Sequence, residues 1–230
     1  MGGRAVVLLS GGLDSCVTLA IAKEENDEVY AITFDYGQRH EKEVESARKL
    51  GQHYGVVKHL ILKIPLDQVA ESSLTREDQP IPQHESVEEV IEIPSTYVPG
   101  RNIVLLSYAL SWAESVQADS IYIGAHTQDY SGYPDCRPEF LKAFENMARL
   151  GTRRGAQGKQ IELKYPVINL RKAQIIKKGA EMNVPFELTW SCYEGGAKAC
   201  GKCDSCQFRL KGFEEVGMKD PLEYEAHGDM

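Results

Sequence analysis

No stretch of this chain approaches the roughly 18 to 20 consecutive apolar residues that a membrane-spanning helix requires, which excludes such a helix among its elements. An apolar strand begins within the first few residues and leaves no room for a secretory leader, so we expect a cytoplasmic protein. An excess of positive charge is also missing. The 26 Lys and Arg stand against 34 Asp and Glu, a net charge of −8, whereas a nucleic-acid surface needs clustered cations. We therefore expect neither nucleic acid nor membrane as a partner. Two familiar phosphate-gripping patterns, GxxxxGK[ST] and GxGxxG, do not occur, and no internal repeat is visible. What remains is ordinary globular composition, 42% apolar and 8% aromatic, in 230 residues. That length buries one sizeable core and leaves material for a small addition.

The most informative stretch present is Ala5-Val6-Val7-Leu8-Leu9-Ser10-Gly11-Gly12-Leu13-Asp14-Ser15. Ala5 to Leu9 reads as a strand buried on both faces, and Leu13, Cys16, Val17, Ala20 and Ile21 recur at helical spacing directly after the glycines. A glycine turn at a helix N-terminus presents backbone N–H groups and partial positive charge to an anion. Ser10 and Ser15 add hydroxyls. The Ser-Gly-Gly-Leu-Asp-Ser run resembles the pyrophosphate loop of the ATP pyrophosphatase enzymes, which release pyrophosphate and attach AMP to a substrate oxygen.

Apolar runs continue to alternate with helical patterns. Val29 to Phe34, Val56 to Leu62, Ser120 to Ala125 and Ile161 to Leu163 read as strands; residues 40–54, 138–149 and 171–182 read as helices. Asn102 to Val116 is apolar nearly all round, and we expect that helix to be buried. Residues 72–95, with Pro80, Pro82 and Pro94, read as a long loop containing one helical turn. The basic, glycine-rich residues 151–160 have no clear place in this rhythm. The expected fold is α/β, a Rossmann-like parallel sheet with helices on both faces, divided as 1–186 for the main domain and 187–230 for a small helical appendage. Ligands of such sheets bind at the carboxyl ends of the strands, near the switch point. That rule gathers the phosphate loop, Asp35 to His40, Gly124 to Arg137 and Pro99 to Asn102 at one rim.

Cys192, Cys200, Cys203 and Cys206 fall in fifteen residues, a density that matches tetrahedral Cys₄ zinc chemistry. An iron–sulfur cluster is the rival, while disulfides are out of place in a cytoplasmic chain. Cys16 lies on the apolar face of its helix and reads as core. Cys136 lies in the suspected substrate loop, where we weigh a catalytic thiol against a packed side chain.

Five stretches together carry a wider resemblance: the phosphate loop, Phe34 to His40, Tyr97 to Asn102, Asp129 to Phe140, and Thr189 to Cys206. In order and over nearly the whole chain they resemble the 7-cyano-7-deazaguanine synthase family of queuosine biosynthesis, whose members turn 7-carboxy-7-deazaguanine into its nitrile. The resemblance implies an adenine nucleotide alpha hydrolase-like fold, ATP and ammonia as substrates, a structural Zn²⁺ on the four cysteines, Mg²⁺ on the phosphates and a homodimer. No glutaminase domain accompanies the chain, so ammonia would arrive free or from a partner.

The chemistry assigns roles within that resemblance. Leu8, Leu9, Ser10, Gly11, Gly12, Leu13, Asp14 and Ser15 would bind ATP; Ser10, Gly11, Gly12, Asp14 and Ser15 would hold the departing pyrophosphate, Asp14 and Ser15 as catalytic residues. Arg101 or Lys172 would add positive charge there. Tyr36, Gln38, Arg39, His40, Asp129, Tyr133, Asp135 and Arg137 would form the substrate site. Asp129 or Asp135 would accept paired N–H donors of the base, and Arg137 or Arg39 would meet its carboxylate as a planar fork. A helix cap is the other reading of Asp135, and a surface ion pair that of Arg137. Two other functions remain in view: an iron–sulfur-dependent tRNA thiolation enzyme with the same loop, and a nucleotide-binding regulator without catalysis.

Overall fold

Alternating strands and helices assemble into one parallel sheet. A computed structural model describes residues 3–76, 78–82, 93–127 and 132–226. Strands β1 (Arg4–Leu8), β2 (Glu28–Asp35), β3 (Lys58–Lys63), β4 (Ser120–Tyr122) and β5 (Glu162–Lys164) lie in the order β3-β2-β1-β4-β5. Every pairing is parallel. The helices are α1 (Leu13–Glu25), α2 (Lys42–His53), α3 (Arg101–Ser115), α4 (Pro138–Gly151), α5 (Arg153–Ala156), α6 (Lys172–Glu181) and α7 (Asp204–Val216).

The central strand shows why its sequence is apolar without alternation. Val6 and Leu8 pack on one face with Ile32 and Phe34 of β2, Leu106 and Ala109 of α3 and Leu141 of α4. Ala5 and Val7 pack on the other with Val17 of α1, Leu50 of α2 and Ile175 of α6. A strand covered on both faces needs apolar side chains at every position. Burying each Val, Leu or Ile of this kind stabilises the fold by about 1.5 to 3 kcal/mol.

The helix expected to be buried all round is not. Leu106, Ala109, Leu110 and Ala113 of α3 face the sheet, whereas Ile103 and Tyr108 are 49% and 46% exposed. A helix lying on a sheet with nothing outside it buries one stripe, whatever the opposite stripe contains. Residues 151–160 also find their place. Thr152 caps the short α5 by accepting from the Gly155 N–H at 3.1 Å, and Arg154 pairs with Asp119 at 2.9 Å. The basic residue there braces the turn between α3 and β4. Of the long loop, residues 77 and 83–92 lie outside the described residues, and the Ser73 N–H bonds the Ser95 carbonyl at 2.9 Å, joining the two ends.

The C-terminal segment shares the main core. Phe213 of α7 meets Phe186 edge to face at 5.3 Å, in the cluster that also holds Ile175 and Ile176. α7 packs close on α6 at Gly212, where an added Cβ would sit 2.7 Å from Lys172 Cγ. That contact fixes where Lys172 begins its reach.

Candidate active site

The phosphate loop is built by a glycine that no other residue could replace. Gly11 has φ +90°, and a Cβ there would lie 2.1 Å from the Glu43 carbonyl oxygen and 2.9 Å from the Ala47 nitrogen. Only glycine lets the loop both turn and press on the backbone of α2. Gly12 then forms the N-cap of α1 with no side-chain cap, so the first amides of α1 are left to serve an anion. The Ser10 hydroxyl donates to Ser15 Oγ at 3.0 Å, and Ser15 Oγ donates to the Gly12 carbonyl at 2.9 Å. These mutual bonds hold both hydroxyls at the loop.

A cavity of about 270 Å³ opens where β1, β2 and β4 end. With β1 between β2 and β4, this is the switch point of the sheet, the place where such folds bind ligands. The predicted phosphate loop borders the cavity at Leu8, Leu9, Ser10 and Gly12, and again at Leu13, Asp14 and Ser15. Gly11 lies behind it, against α2. Tyr36, Gln38, Arg39, His40, Arg101 and Lys172 border it as well.

Charge is arranged in two groups. Lys172 Nζ donates to both oxygens of Asp14, each at 2.7 Å, and His126 Nε2 lies 3.4 Å from Asp14 Oδ2. Burial alone would raise the Asp14 pKa, but Lys172 and His126 outweigh it and hold the carboxyl well below the usual range. The second group is Arg101, which donates to the Tyr36 hydroxyl at 3.3 Å and stands 5.7 Å from the Tyr36 ring centre. Glu43, from the first turn of α2, faces the same space. Burial pushes its carboxyl up to about 7, against the pull of Arg101.

Other predicted substrate residues are engaged differently. Asp135 is buried and does not border the cavity. Its Oδ2 accepts the Asn102 N–H at 2.9 Å, and its carbonyl accepts the Asn102 side-chain amide at 3.0 Å. It therefore caps α3, a helix from elsewhere in the chain, and fixes the turn that bears Arg101. Tyr133 sits beside it, its hydroxyl 2.7 Å from Thr96 Oγ1. Arg137 is exposed at the N-terminus of α4, outside the cavity lining. Arg39 Nη2 donates to the Arg76 carbonyl at 2.6 Å and also to the Gln79 carbonyl, so part of its fork holds the loop that follows β3. Asp129 lies outside the described residues. Cys136 is packed, with the Asn102 amide 3.3 Å from its sulfur, and burial raises its thiol to about 11. That environment suppresses the thiolate a nucleophile needs.

Glu43, Ser191 and Arg209 border the cavity without having been assigned to it, and His126 joins the site through Asp14. Arg209 is 1% exposed, and its guanidinium contacts both Asp220 oxygens at 2.7 and 2.9 Å. It also reaches Thr189 Oγ1 at 2.7 Å and Ser191 Oγ at 3.3 Å. An Arg on an amphipathic helix carries no sequence mark that separates such a buried brace from a solvated charge. Trp190 completes the link, donating its backbone N–H to the Gly11 carbonyl at 2.9 Å and its indole N–H to the Cys192 carbonyl at 2.9 Å. The cysteine segment is thereby tied to the phosphate loop.

The cysteines converge as their spacing predicted. The sulfurs of Cys192, Cys200, Cys203 and Cys206 all lie within 4.8 Å of one another, buried, and none is in a disulfide. Four sulfurs about 2.3 Å from one central ion sit about 3.8 Å apart in a tetrahedron, and Cys200 and Cys206 are 4.0 Å apart. Backbone N–H groups of Glu194 and Cys200 point at Cys192 Sγ, and those of Lys202 and Cys203 at Cys200 Sγ. Such donors favour thiolates, so the donor set fits a metal ion such as zinc.

A switch-point cavity with a Ser-Gly-Gly loop at a helix N-terminus defines the class, an adenine nucleotide alpha hydrolase-like α/β protein. Among solved structures, a 4-thiouridine synthetase crystallised with RNA and ATP shares the fold. Its TM-score is 0.53 at 19% identity, over 94% of this chain and 50% of that one. The family model described as queuosine biosynthesis protein QueC matches residues 4–217. The 7-cyano-7-deazaguanine synthase of Acetivibrio thermocellus is 52% identical over 96% of this chain and 97% of its own length. That of Thermoplasma volcanium is 50% identical over 99% and 93%. The chain belongs to the queuosine biosynthesis protein QueC family.

Proposed function

We propose that this chain is a 7-cyano-7-deazaguanine synthase, forming the nitrile from 7-carboxy-7-deazaguanine, ammonia and ATP as a carbon–nitrogen ligase. The observation that carries the reading is the convergence of the phosphate loop, the Asp14–Lys172 pair and Arg101 on one switch-point cavity. A carboxylate is a poor electrophile because its oxygen leaves badly. AMP transfer to that oxygen expels pyrophosphate and gives a mixed anhydride, which ammonia attacks to form the amide and release AMP. A second AMP transfer, to the amide oxygen, lets that oxygen leave with AMP and leaves the carbon–nitrogen triple bond. Each cycle thus uses two ATP and yields two AMP and two pyrophosphate.

The residues supply positioning and charge. Ser10, Gly12, Ser15 and the first amides of α1 hold the pyrophosphate as it departs. Lys172 is fixed by Asp14, so its ammonium is already in place when charge develops on the phosphates. Mg²⁺, when bound, neutralises phosphate charge. Because Asp14 is engaged by Lys172 and His126, phosphate oxygens would supply most of its ligands. Arg101 lies where a substrate carboxylate can meet it, with the Tyr36 ring alongside. Tyr36, Gln38, Arg39 and His40 wall the substrate end; Tyr133 and Asp135 hold that wall from behind, and Arg137 stands at the N-terminus of α4.

Residues 187–230 act in this reading as a zinc-bearing segment on the ATP-binding domain of residues 1–186, with the Zn²⁺ structural. The enzyme works in the cytoplasm as a homodimer, a reading supported by exposed Ile103, Tyr108, Met147 and Leu150 on α3 and α4 and testable by light scattering. Among the described residues no helix is long and apolar enough to cross a membrane. The purified chain, given ATP, ammonium and 7-carboxy-7-deazaguanine, should yield the nitrile by mass spectrometry. A sulfur-containing product from tRNA, with stoichiometric iron in anaerobic protein, would instead establish the thiolation reading.

A further inference from the structure

Two carboxylates border the cavity among the described residues, and they are not equivalent. Asp14 is consumed by Lys172 and His126. Among the described residues the Glu43 carboxylate has no hydrogen bond or salt bridge, and Glu43 borders the cavity. Its position is nevertheless fixed. The Glu43 carbonyl is pressed against Gly11 so closely that a Cβ would reach it at 2.1 Å, so any nucleotide gripped by the loop has Glu43 at a set offset. The same cavity has apolar and aromatic side chains in its lining: Ile32 and Phe34 from β2, Leu105 from α3, and the Tyr36 ring with Arg101 beside it. A slot of this kind suits a planar heterocycle with N–H donors on one edge and an anionic substituent on another. Burial without enough compensating charge leaves the Glu43 carboxyl raised, the condition of a group whose donors arrive with the ligand.

We propose that Glu43 reads the base: its two carboxylate oxygens accept the ring N–H and the neighbouring exocyclic amine N–H of a 2-amino-4-oxopyrimidine ring, as in a deazaguanine. This rests on the functional reading above and names the group that selects its substrate. It also relieves Asp135, whose carboxylate is committed to α3.

The test measures discrimination with the metal-loaded, full-length protein. Binding of 7-carboxy-7-deazaguanine is compared with binding of the same compound lacking the 2-amino group, in wild type, E43Q, E43D and D129N, with ATP affinity measured in parallel. Wild type should prefer the amino compound, since a charged acceptor left without its donor loses on the order of 10- to 100-fold in affinity. E43Q should lose that preference while binding ATP as wild type does, because its amide opposes one donor. E43D should fall between. A wild-type preference that survives in E43Q but vanishes in D129N overturns the role of Glu43 alone. Wild-type protein that binds ATP and neither deazapurine overturns the functional reading, and this assignment with it.

Discussion

Removing the carboxylate of Asp220 should destabilise the chain more than any surface change, because it strands a charge. Arg209 and Asp220 are 1% and 3% exposed and meet through two bonds, at 2.7 and 2.9 Å. Asp220 also accepts the Tyr224 hydroxyl at 2.6 Å and the Leu222 N–H at 3.0 Å. In D220A, Thr189, Ser191 and the Phe186 carbonyl would remain for Arg209, but none carries a compensating charge. Breaking a buried pair from one side costs about 3 to 5 kcal/mol. For a chain of this size each kcal/mol lowers Tm by about 2 to 4 °C, so scanning calorimetry should find a fall of roughly 6 to 20 °C. The double variant R209M/D220L should recover much of that loss, because two apolar side chains leave no charge behind. Arg209 also braces Thr189 and Ser191, which flank Trp190 and its bond to Gly11, so D220A should weaken ATP binding as well. A Tm within about 2 °C of wild type would mean that Arg209 finds full compensation without Asp220.

Three further outcomes follow from the same geometry. D14N should keep its fold and lose turnover by about 10²- to 10³-fold, because Lys172 loses the carboxylate that places it; wild-type turnover would remove Asp14 and Lys172 from the charge-bearing step. Burial lowers the pKa of His59, whose ring nitrogen lies 2.8 Å from Thr33 Oγ1. The unfolded chain therefore takes up this proton near the ordinary pKa of about 6.5, before the folded chain does. Stability from this group is full above that pH and falls as pH drops below it. Urea unfolding between pH 5 and 7 should show a slope that flattens in H59Q, and parallel slopes would disprove the contribution. C203A should lower zinc content and thermal stability together while leaving the relative affinity for deazapurines unchanged, as metal analysis and calorimetry can determine; full zinc content would contradict the four-cysteine site.

The parallel sheet was legible because β1 and β2 carry apolar side chains on both faces, a pattern that only a doubly covered strand requires. The phosphate loop was legible because its glycines punctuate the change from strand to helix. The cysteines could be grouped by spacing alone. Other parts depend on tertiary placement that no local pattern encodes. Asp135 sits in a polar loop and resembles a ligand-facing carboxylate, yet its partner is the backbone of Asn102, 33 residues earlier. Glu43 reads as one more acid on a charged helix, and only the contact of α2 with Gly11 turns it into the cavity. Arg209 is likewise indistinguishable from a solvated arginine until Asp220 folds back onto it. α3 misled in the opposite sense, since Ile103 and Tyr108 are apolar and still face outward.

AMP transfer to the substrate carboxylate at the Ser-Gly-Gly loop leaves an oxygen signature in the products. Substrate carrying ¹⁸O in both carboxylate positions is incubated with the chain, ATP and ammonium, and the nucleotide products are weighed. Two AMP should form per nitrile, each carrying one ¹⁸O, with unlabelled pyrophosphate. ADP with labelled phosphate, or AMP without label, would contradict that transfer.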